Sequence, residues 1–329
     1  MPIFSSRYYK GPKSDHFDGR HFFNPWNRRT HSWLNVLRWK LTSKPKPWPQ
    51  IQGQAFDVPP DHVQGSQIRL SFVGHATVLI QTCGLNILTD PIWAEWASPF
   101  KLSRTKRISQ PGIRFDDLPK IDLVLVSHNH YDHLCLETLQ KLWQRDRPRI
   151  IVPLGNDTII RSKNPSIAVD SLDWDESLKI GESLAVHLLP SQHWSSRTPF
   201  DVDQALWGAF VIETHHGNIY FAGDTGYGQG EIFEKARAKF GAFRMALLPI
   251  GSYEPRWFMR YAHMNPQDAV QAYFDLGEPP ALALHFETFA MTDEGFNDPA
   301  HALEEAKKAA GVPHDKFRAL KVGQFWQLS

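Results

Sequence analysis

The chain predicts an α+β fold in which two β-sheets pack face to face with helices on the outside. Three observations carry that expectation. Short apolar, β-branched runs dominate the first part of each half of the chain, and segments of helical spacing follow them, which layers most simply as sheet on sheet with helices outside. Several of the apolar runs stop at a His or an Asp, where a buried strand would end and chemistry could begin. No stretch of eighteen apolar residues occurs, so no membrane-spanning helix is expected. With 329 residues, 42% hydrophobic and 22% charged, the chain can bury a sizeable core as one large domain or two.

Residues 1–65 read as an irregular extension and residues 66–329 as the body. In the extension, Asn24-Pro-Trp26 reads as a turn and Trp33 to Leu41 as a short helix. The prolines of Lys44-Pro-Lys-Pro-Trp-Pro49 bar helix and favour extended chain. From Ile68 the texture changes: Ile68–Val73, Ala76–Gln81 and Asn86–Thr89 read as successive strands joined by Gly74-His75 and Cys83-Gly84. A long polar loop over 92–118 follows, of a length usually reserved for function. Ile121–Val126 is a buried strand, Leu136–Arg145 a helix and Arg149–Pro153 a strand. Further strands are expected at Leu184–Leu189, Ala209–Thr214, Asn218–Ala222, Met245–Ile250 and Ala281–His285. Helices are expected at Glu231–Phe240, Pro266–Leu276 and Pro299–Ala309, and no internal repeat is visible.

The net charge of +1 conceals an asymmetry. Residues 1–50 hold ten Lys and Arg against Asp15 and Asp18, a balance of +8 that leaves −7 for the rest. The same segment carries Phe22, Phe23, Trp26, Trp33, Trp39 and Trp48. A basic and aromatic segment suits an anionic lipid surface, at about 1 kcal/mol per cation near the headgroups. It also suits a nucleic-acid backbone, or the acidic body of its own chain. The start of the chain has no apolar signal region, and two cysteines, Cys83 and Cys135, give no disulfide framework. A reducing, cytoplasmic setting is therefore expected.

Residues 127–134, Ser-His-Asn-His-Tyr-Asp-His-Leu, hold the strongest signal. His128, His130, Asp132 and His133 fall within six residues at the end of an apolar run. On the two-residue period of a strand, His128 and His130 point the same way, and a turn carries Asp132 and His133 to a second point nearby. A single His is more often a satisfied core residue than a ligand. Four such groups buried without a cation would cost several kcal/mol in unpaired polar atoms. Three later strand ends offer partners: His193 in Ser-Gln-His-Trp-Ser, Asp224 in Ala-Gly-Asp-Thr-Gly, and His285 in Leu-His-Phe. The ordered set is His128, His130 and His193 on one metal, Asp132, His133 and His285 on the other, with Asp224 bridging. Nitrogen and oxygen ligands without thiolate favour zinc, with iron or manganese as substitutes.

This set is where the chain resembles the metallo-β-lactamase superfamily, and within it the N-acyl-phosphatidylethanolamine-hydrolysing phospholipase D group. Similar stretches include Asn24-Pro-Trp26, Gly74-His-Ala-Thr77, Leu88-Thr-Asp-Pro91, Ser127–His133, Pro190-Ser-Gln-His-Trp194, Phe221–Tyr227 and Pro249–Met259, from about Gly19 to the C-terminus. One departure lies beside a ligand: His285-Phe-Glu287 stands where the group has Trp then Gly, which bears on pocket shape and not on the metal. The resemblance implies the αββα sandwich of that superfamily, with two mixed sheets, and a phosphodiesterase using two zinc ions per chain. Its reaction would release an N-acylethanolamine and phosphatidic acid from an N-acylated phospholipid. The alternative is a hydrolase of the same fold acting on another phosphodiester, a lactone or nucleic acid.

Among the remaining polar residues, His263 is the expected acid for the leaving alkoxide. Asp90 is expected to hydrogen-bond a ligand imidazole, and His75 to do likewise or to meet substrate. With the metal-binding Asp132, Asp90 and His263 make the expected catalytic set. Arg197 and Arg256 are expected to pair with a phosphate. The expected partners are a phospholipid, a membrane's inner face met peripherally through residues 1–65, and a second copy of the chain as a homodimer; no nucleic acid is expected.

Overall fold

The structure, a computed structural model, describes residues 5–27, 33–49 and 54–329. The chain start, which bears on the signal reading, and the cations Arg28 and Arg29 lie outside the described residues. Side-chain alternation builds the layers. Leu123 and Leu125 face a cluster between two sheets, whereas Val124 and Val126 face a second cluster under the outer helices; all four are buried. Ile151 and its neighbours Ile150 and Val152 divide in the same way. A strand buried on both faces reads as a continuous apolar run, which is what the sequence shows there.

The first sheet is built from β1 (Ile68–Gly74), β2 (Thr77–Thr82), β3 (Leu85–Thr89), β4 (Leu123–Leu125), β5 (Arg149–Pro153) and β6 (Val169–Leu172). The second holds β7 (Ser177–Ile180), β8 (Leu184–Leu189), β9 (Ala209–Thr214), β10 (Asn218–Phe221), β11 (Phe243–Pro249), β12 (Ala281–Leu284) and β13 (Phe317–Arg318). The C-terminal β14 (Phe325–Leu328) returns to the first sheet beside β1. The helices are α1 (Trp33–Thr42), α2 (Leu136–Arg145), α3 (Asn156–Lys163), α4 (Glu231–Phe240), α5 (Arg256–Met259), α6 (Pro266–Asp275) and α7 (Asp298–Ala310).

Both sheets are mixed, and both follow one pairing pattern. In the order β14-β1-β2-β3-β4-β5-β6, neighbours are antiparallel as far as β3 and parallel from there on. In the order β7-β8-β9-β10-β11-β12-β13, they are antiparallel as far as β10 and parallel from there on. In the first sheet β1, β3 and β4 therefore share a direction, as do β8, β10 and β12 in the second. Their C-terminal ends deliver His75, Asp90, the 127–133 loop, His193, Asp224 and His285. The two-sheet sandwich expected from the sequence is the fold observed.

Much of the extension packs against the body. Phe17 and Phe22 are buried in the inter-sheet cluster, and Tyr8 Oη donates to Asp201 at 2.7 Å. His16 sits between Asp15 and Asp173, at 2.6 and 2.7 Å. Further on, Asp57 meets Arg69 of β1 through paired bonds of 2.9 and 2.6 Å, with both side chains buried. Removing one member of such a pair leaves an uncompensated charge in a dry site. The Asp57→Ala variant is expected to lose about 3–5 kcal/mol of stability. Urea titration checks this: the midpoint should fall with the slope unchanged.

Candidate metal centre

The loop after β4 turns as soon as the strand ends. Val126 N–H still pairs with Ile151 O at 3.1 Å, and then His133 N–H and Leu134 N–H both donate to His130 O at 3.1 and 2.8 Å. Leu134 is fully buried and anchors that turn. It leaves His128 Nε2 and His130 Nδ1 2.8 Å apart, with His193 Nε2 3.3 Å from the latter. Asp132 Oδ2 lies 3.2 Å from His133 Nε2 and 3.5 Å from His285 Nε2. Between the two sets, Asp224 Oδ2 lies 3.2 Å from His133 Nε2, 3.1 Å from His285 Nε2 and 3.8 Å from His193 Nε2. Within each of the sets His128/His130/His193, His75/Asp132/His133/His285 and His128/His133/Asp224, the donor atoms lie within 4.8 Å of one another.

Hydrogen bonds on the far side of the rings settle which nitrogen faces inward. Asp90 is the hub. Its Oδ1 accepts from Ser127 N–H at 2.7 Å, and its Oδ2 accepts from Ser127 Oγ and His133 Nδ1, each at 2.7 Å. Ser127 Oγ, having given its proton to Asp90, accepts from His128 Nδ1 at 2.9 Å. His193 Nδ1 donates to Ala262 O at 2.9 Å. Three imidazoles are thereby held with Nε2 turned inward, the orientation in which a neutral ring offers a cation its lone pair. His133 Nε2, His285 Nε2, His130 Nε2 and Asp224 Oδ1 are buried without a hydrogen-bond partner. Such atoms are costly unless something fills the point they face, so this donor set fits a metal.

The electrostatics follow from burial and mutual proximity. Burial pushes His128 and His193 well below the ordinary imidazole value, and His130 down to about 3. Burial also disfavours charge on His285, but the Asp224 and Asp132 carboxylates override it and hold that ring at about 9. His133 is raised by Asp224, Asp132 and Asp90 in the same way. The imidazoles in turn outweigh burial and hold Asp132 and Asp224 well below the usual carboxylate range.

The backbone is bent to make these contacts. His75, Asp90 and His285 all adopt left-handed φ, at 58°, 35° and 65°, each costing about 1–3 kcal/mol. Two glycines make room. A Cβ on Gly223 would fall 2.5 Å from Ser127 Cβ, and one on Gly251 would fall 1.9 Å from His285 O.

Of the other residues singled out from the sequence, His75 Nε2 meets Asp132 Oδ2 at 2.8 Å, so it touches a ligand carboxylate. His263 Nδ1 lies 3.8 Å from Asp224 Oδ2 without a hydrogen bond, and burial holds this imidazole down at about 4. It is therefore neutral at pH 7 and can offer an N–H. The two arginines have structural partners. Arg197 Nη1 donates to Asn129 O and Leu134 O, both at 2.9 Å, and its guanidinium lies over the Tyr131 ring. Arg256 donates to His263 O at 2.7 Å and pairs with Asp268, whose N–H is capped by Asn265 at the start of α6. They brace the metal loop and the His263 loop respectively. Sequence reasoning missed Ser127 and the Ala262 carbonyl. Ser127 could have been suspected from its place beside His128; a backbone carbonyl leaves no trace in sequence.

A double sandwich with a buried His and Asp cluster at its strand ends is the construction of a metal-dependent hydrolase. Residues 85–286 match the family model of the β-lactamase superfamily domain, and the chain belongs to that superfamily. Within it, the chain is 34% identical over 270 residues to N-acyl-phosphatidylethanolamine-hydrolyzing phospholipase D 1 of Caenorhabditis elegans, covering 79% of this chain and 75% of that one. It is 38% identical over 227 residues to the mitochondrial enzyme of that name from Saccharomyces cerevisiae, covering 67% of this chain and about half, 48%, of the yeast protein. Among solved structures, the metallo hydrolase Igni18 of Ignicoccus hospitalis shares the fold at 21% identity and a TM-score of 0.59, over 80% of this chain and 99% of its own.

Two outcomes are expected at this centre. The Asp90→Asn variant loses the acceptor that fixes His133 and Ser127, and metal affinity should fall about 10–100-fold in chelator competition. In the metal-free protein His285 carries a proton below about pH 9, which a cation must displace. Metal binding should therefore release protons, from His133 as well as His285, and apparent affinity should rise with pH up to at least about 9. Calorimetry in buffers of different ionisation enthalpy reads that release.

Proposed function

We propose that the chain is a phosphodiesterase with two zinc ions per chain, hydrolysing N-acylphosphatidylethanolamine to an N-acylethanolamine and phosphatidic acid. The observation that carries this reading is the juxtaposition of two donor sets around a shared aspartate, in a chain whose relatives at 34 and 38% identity are named for that substrate. His128, His130 and His193 would hold one cation, and Asp132, His133 and His285 the other, with Asp224 between them. A pair of divalent ions supplies Lewis acidity for phosphoryl oxygens and activates water near neutral pH.

The chain's own residues prepare the rest. Asp90 keeps His133 and, through Ser127, His128 in the inward-facing tautomer. Six of the seven ligand residues are buried and His130 is half-buried, which strengthens the charge interactions there. His263 is one of the few polar groups of the site with some solvent exposure, and its side chain is 14% exposed. As a neutral imidazole it presents an N–H to a phosphoryl or leaving-group oxygen, while Arg256 holds its backbone in place.

The test uses purified, metal-loaded protein and N-acylphosphatidylethanolamines of several acyl lengths, with release of N-acylethanolamine as the readout. A panel of other phosphodiesters and lactones is compared by kcat/KM, and a better substrate in that panel overturns the reading. The His263→Gln variant is expected to lose about 10²–10³ in kcat with its metal content unchanged.

A further inference from the structure

Helix α1 is docked by one side only. Trp39 stacks on Phe258 of α5 at 4.9 Å between centroids, and Arg38 lies over the Trp257 ring at 4.6 Å. Asn35 and Trp39 are the half-buried residues among the described side chains of the helix. On the side turned away, Leu34, Leu37 and Leu41 fall at i, i+3 and i+7, one continuous stripe, and they are 56, 47 and 76% exposed. Arg38 and Lys40 flank the stripe, and the helix carries no acidic side chain. An outward-facing leucine row bordered by cations is a poor surface helix for water and a good one for the boundary between headgroups and acyl chains.

The surroundings extend the same chemistry. Arg104 Nη1 donates to Ser43 Oγ at 3.2 Å, tying the 92–118 loop to the residue after α1. That loop holds Phe100 and Leu102, 69 and 57% exposed, on either side of Lys101. On its docked side α1 packs against α5. Trp257 of α5 lines a cavity of about 370 Å³ with Asn27, Gln192, Gly228, Arg260 and Tyr261. Gln192 precedes His193, and His263 follows two residues after Tyr261.

We propose that the leucine face of α1, with the Phe100–Leu102 loop tip, is a docking surface for an anionic lipid bilayer, placing the Trp257 cavity at the headgroup level. The proposal rests on the phospholipid reading above and adds to it where the protein meets its substrate's membrane. Charge decides against the other occupant of an apolar face, a second copy. A two-fold contact through α1 would set Arg38 and Lys40 near their own symmetry mates with no acid on the helix to offset them. Anionic headgroups supply the missing counter-charge.

The test is co-sedimentation of metal-loaded full-length protein with vesicles of mixed phosphatidylglycerol and phosphatidylcholine. The wild type should bind these more tightly than phosphatidylcholine alone, and the Leu37→Asp/Leu41→Asp variant should partition about tenfold or more weaker. The Phe100→Ser/Leu102→Ser variant should weaken binding without touching α1. Both variants should keep the wild-type unfolding midpoint and the wild-type turnover of soluble bis(p-nitrophenyl) phosphate. Equal partitioning of variants and wild type overturns the proposal. So does a leucine variant that binds vesicles normally while its sedimentation shows a lost dimer. Vesicle binding without release of N-acylethanolamine counts against the substrate alone, and release from detergent-dispersed substrate without vesicle binding counts against the docking surface alone.

Discussion

Five imidazoles and two carboxylates crowded together in a largely buried site can coexist only if protons or cations lie between them. That constraint governs the rest of the molecule. Three of the imidazoles have their outer nitrogens pinned, by Asp90, by Ser127 and by the Ala262 carbonyl, so their Nε2 atoms converge. His285 and His133 are drawn up by the neighbouring carboxylates, while His128, His130 and His193 are driven down by burial. The metal-free pocket thus divides into a half that holds protons and a half that refuses them. Strained backbone at His75, Asp90 and His285 is tolerated because the sandwich beneath them is tightly packed.

The ten strands legible in the sequence are the ten interior strands of the two sheets. Their apolar runs are long because both faces are covered, as at Ile150–Val152 between the inter-sheet core and the layer under α2 and α3. The four that were not legible, β6, β7, β13 and β14, are the four sheet edges. Val-Asp-Ser-Leu is buried only at its two ends, Ser-Leu-Lys-Ile has no buried residue, and β13 is two residues long. An edge strand takes its conformation from one neighbour, and a short polar stretch records little of that. Helix α3 went unseen because Asn-Asp-Thr-Ile-Ile-Arg-Ser-Lys has only two apolar residues to mark a face.

At the site, side-chain identity was informative and side-chain partnership was not. The residues brought together, from His128 to His285, lay at the ends of apolar runs, where a change of texture flags them. Arg197 and Arg256 look in sequence like phosphate ligands, since a charge there has no visible partner. Folding supplies those partners from carbonyls and from Asp268, and turns both side chains into braces. The proton state of His263 was equally hidden, because burial is a property of the packed molecule and not of the residue.

The donors are divided between the two sheets. His128, His130, Asp132 and His133 hang from the first, and His193, Asp224 and His285 from the second. Neither layer alone can encircle an ion, so the centre exists only along the seam where they meet. Small sliding of one layer over the other, of the kind a distant core substitution produces, alters the ring's dimensions without touching any ligand. Affinity for the cation is in effect a calliper laid across the middle of the protein.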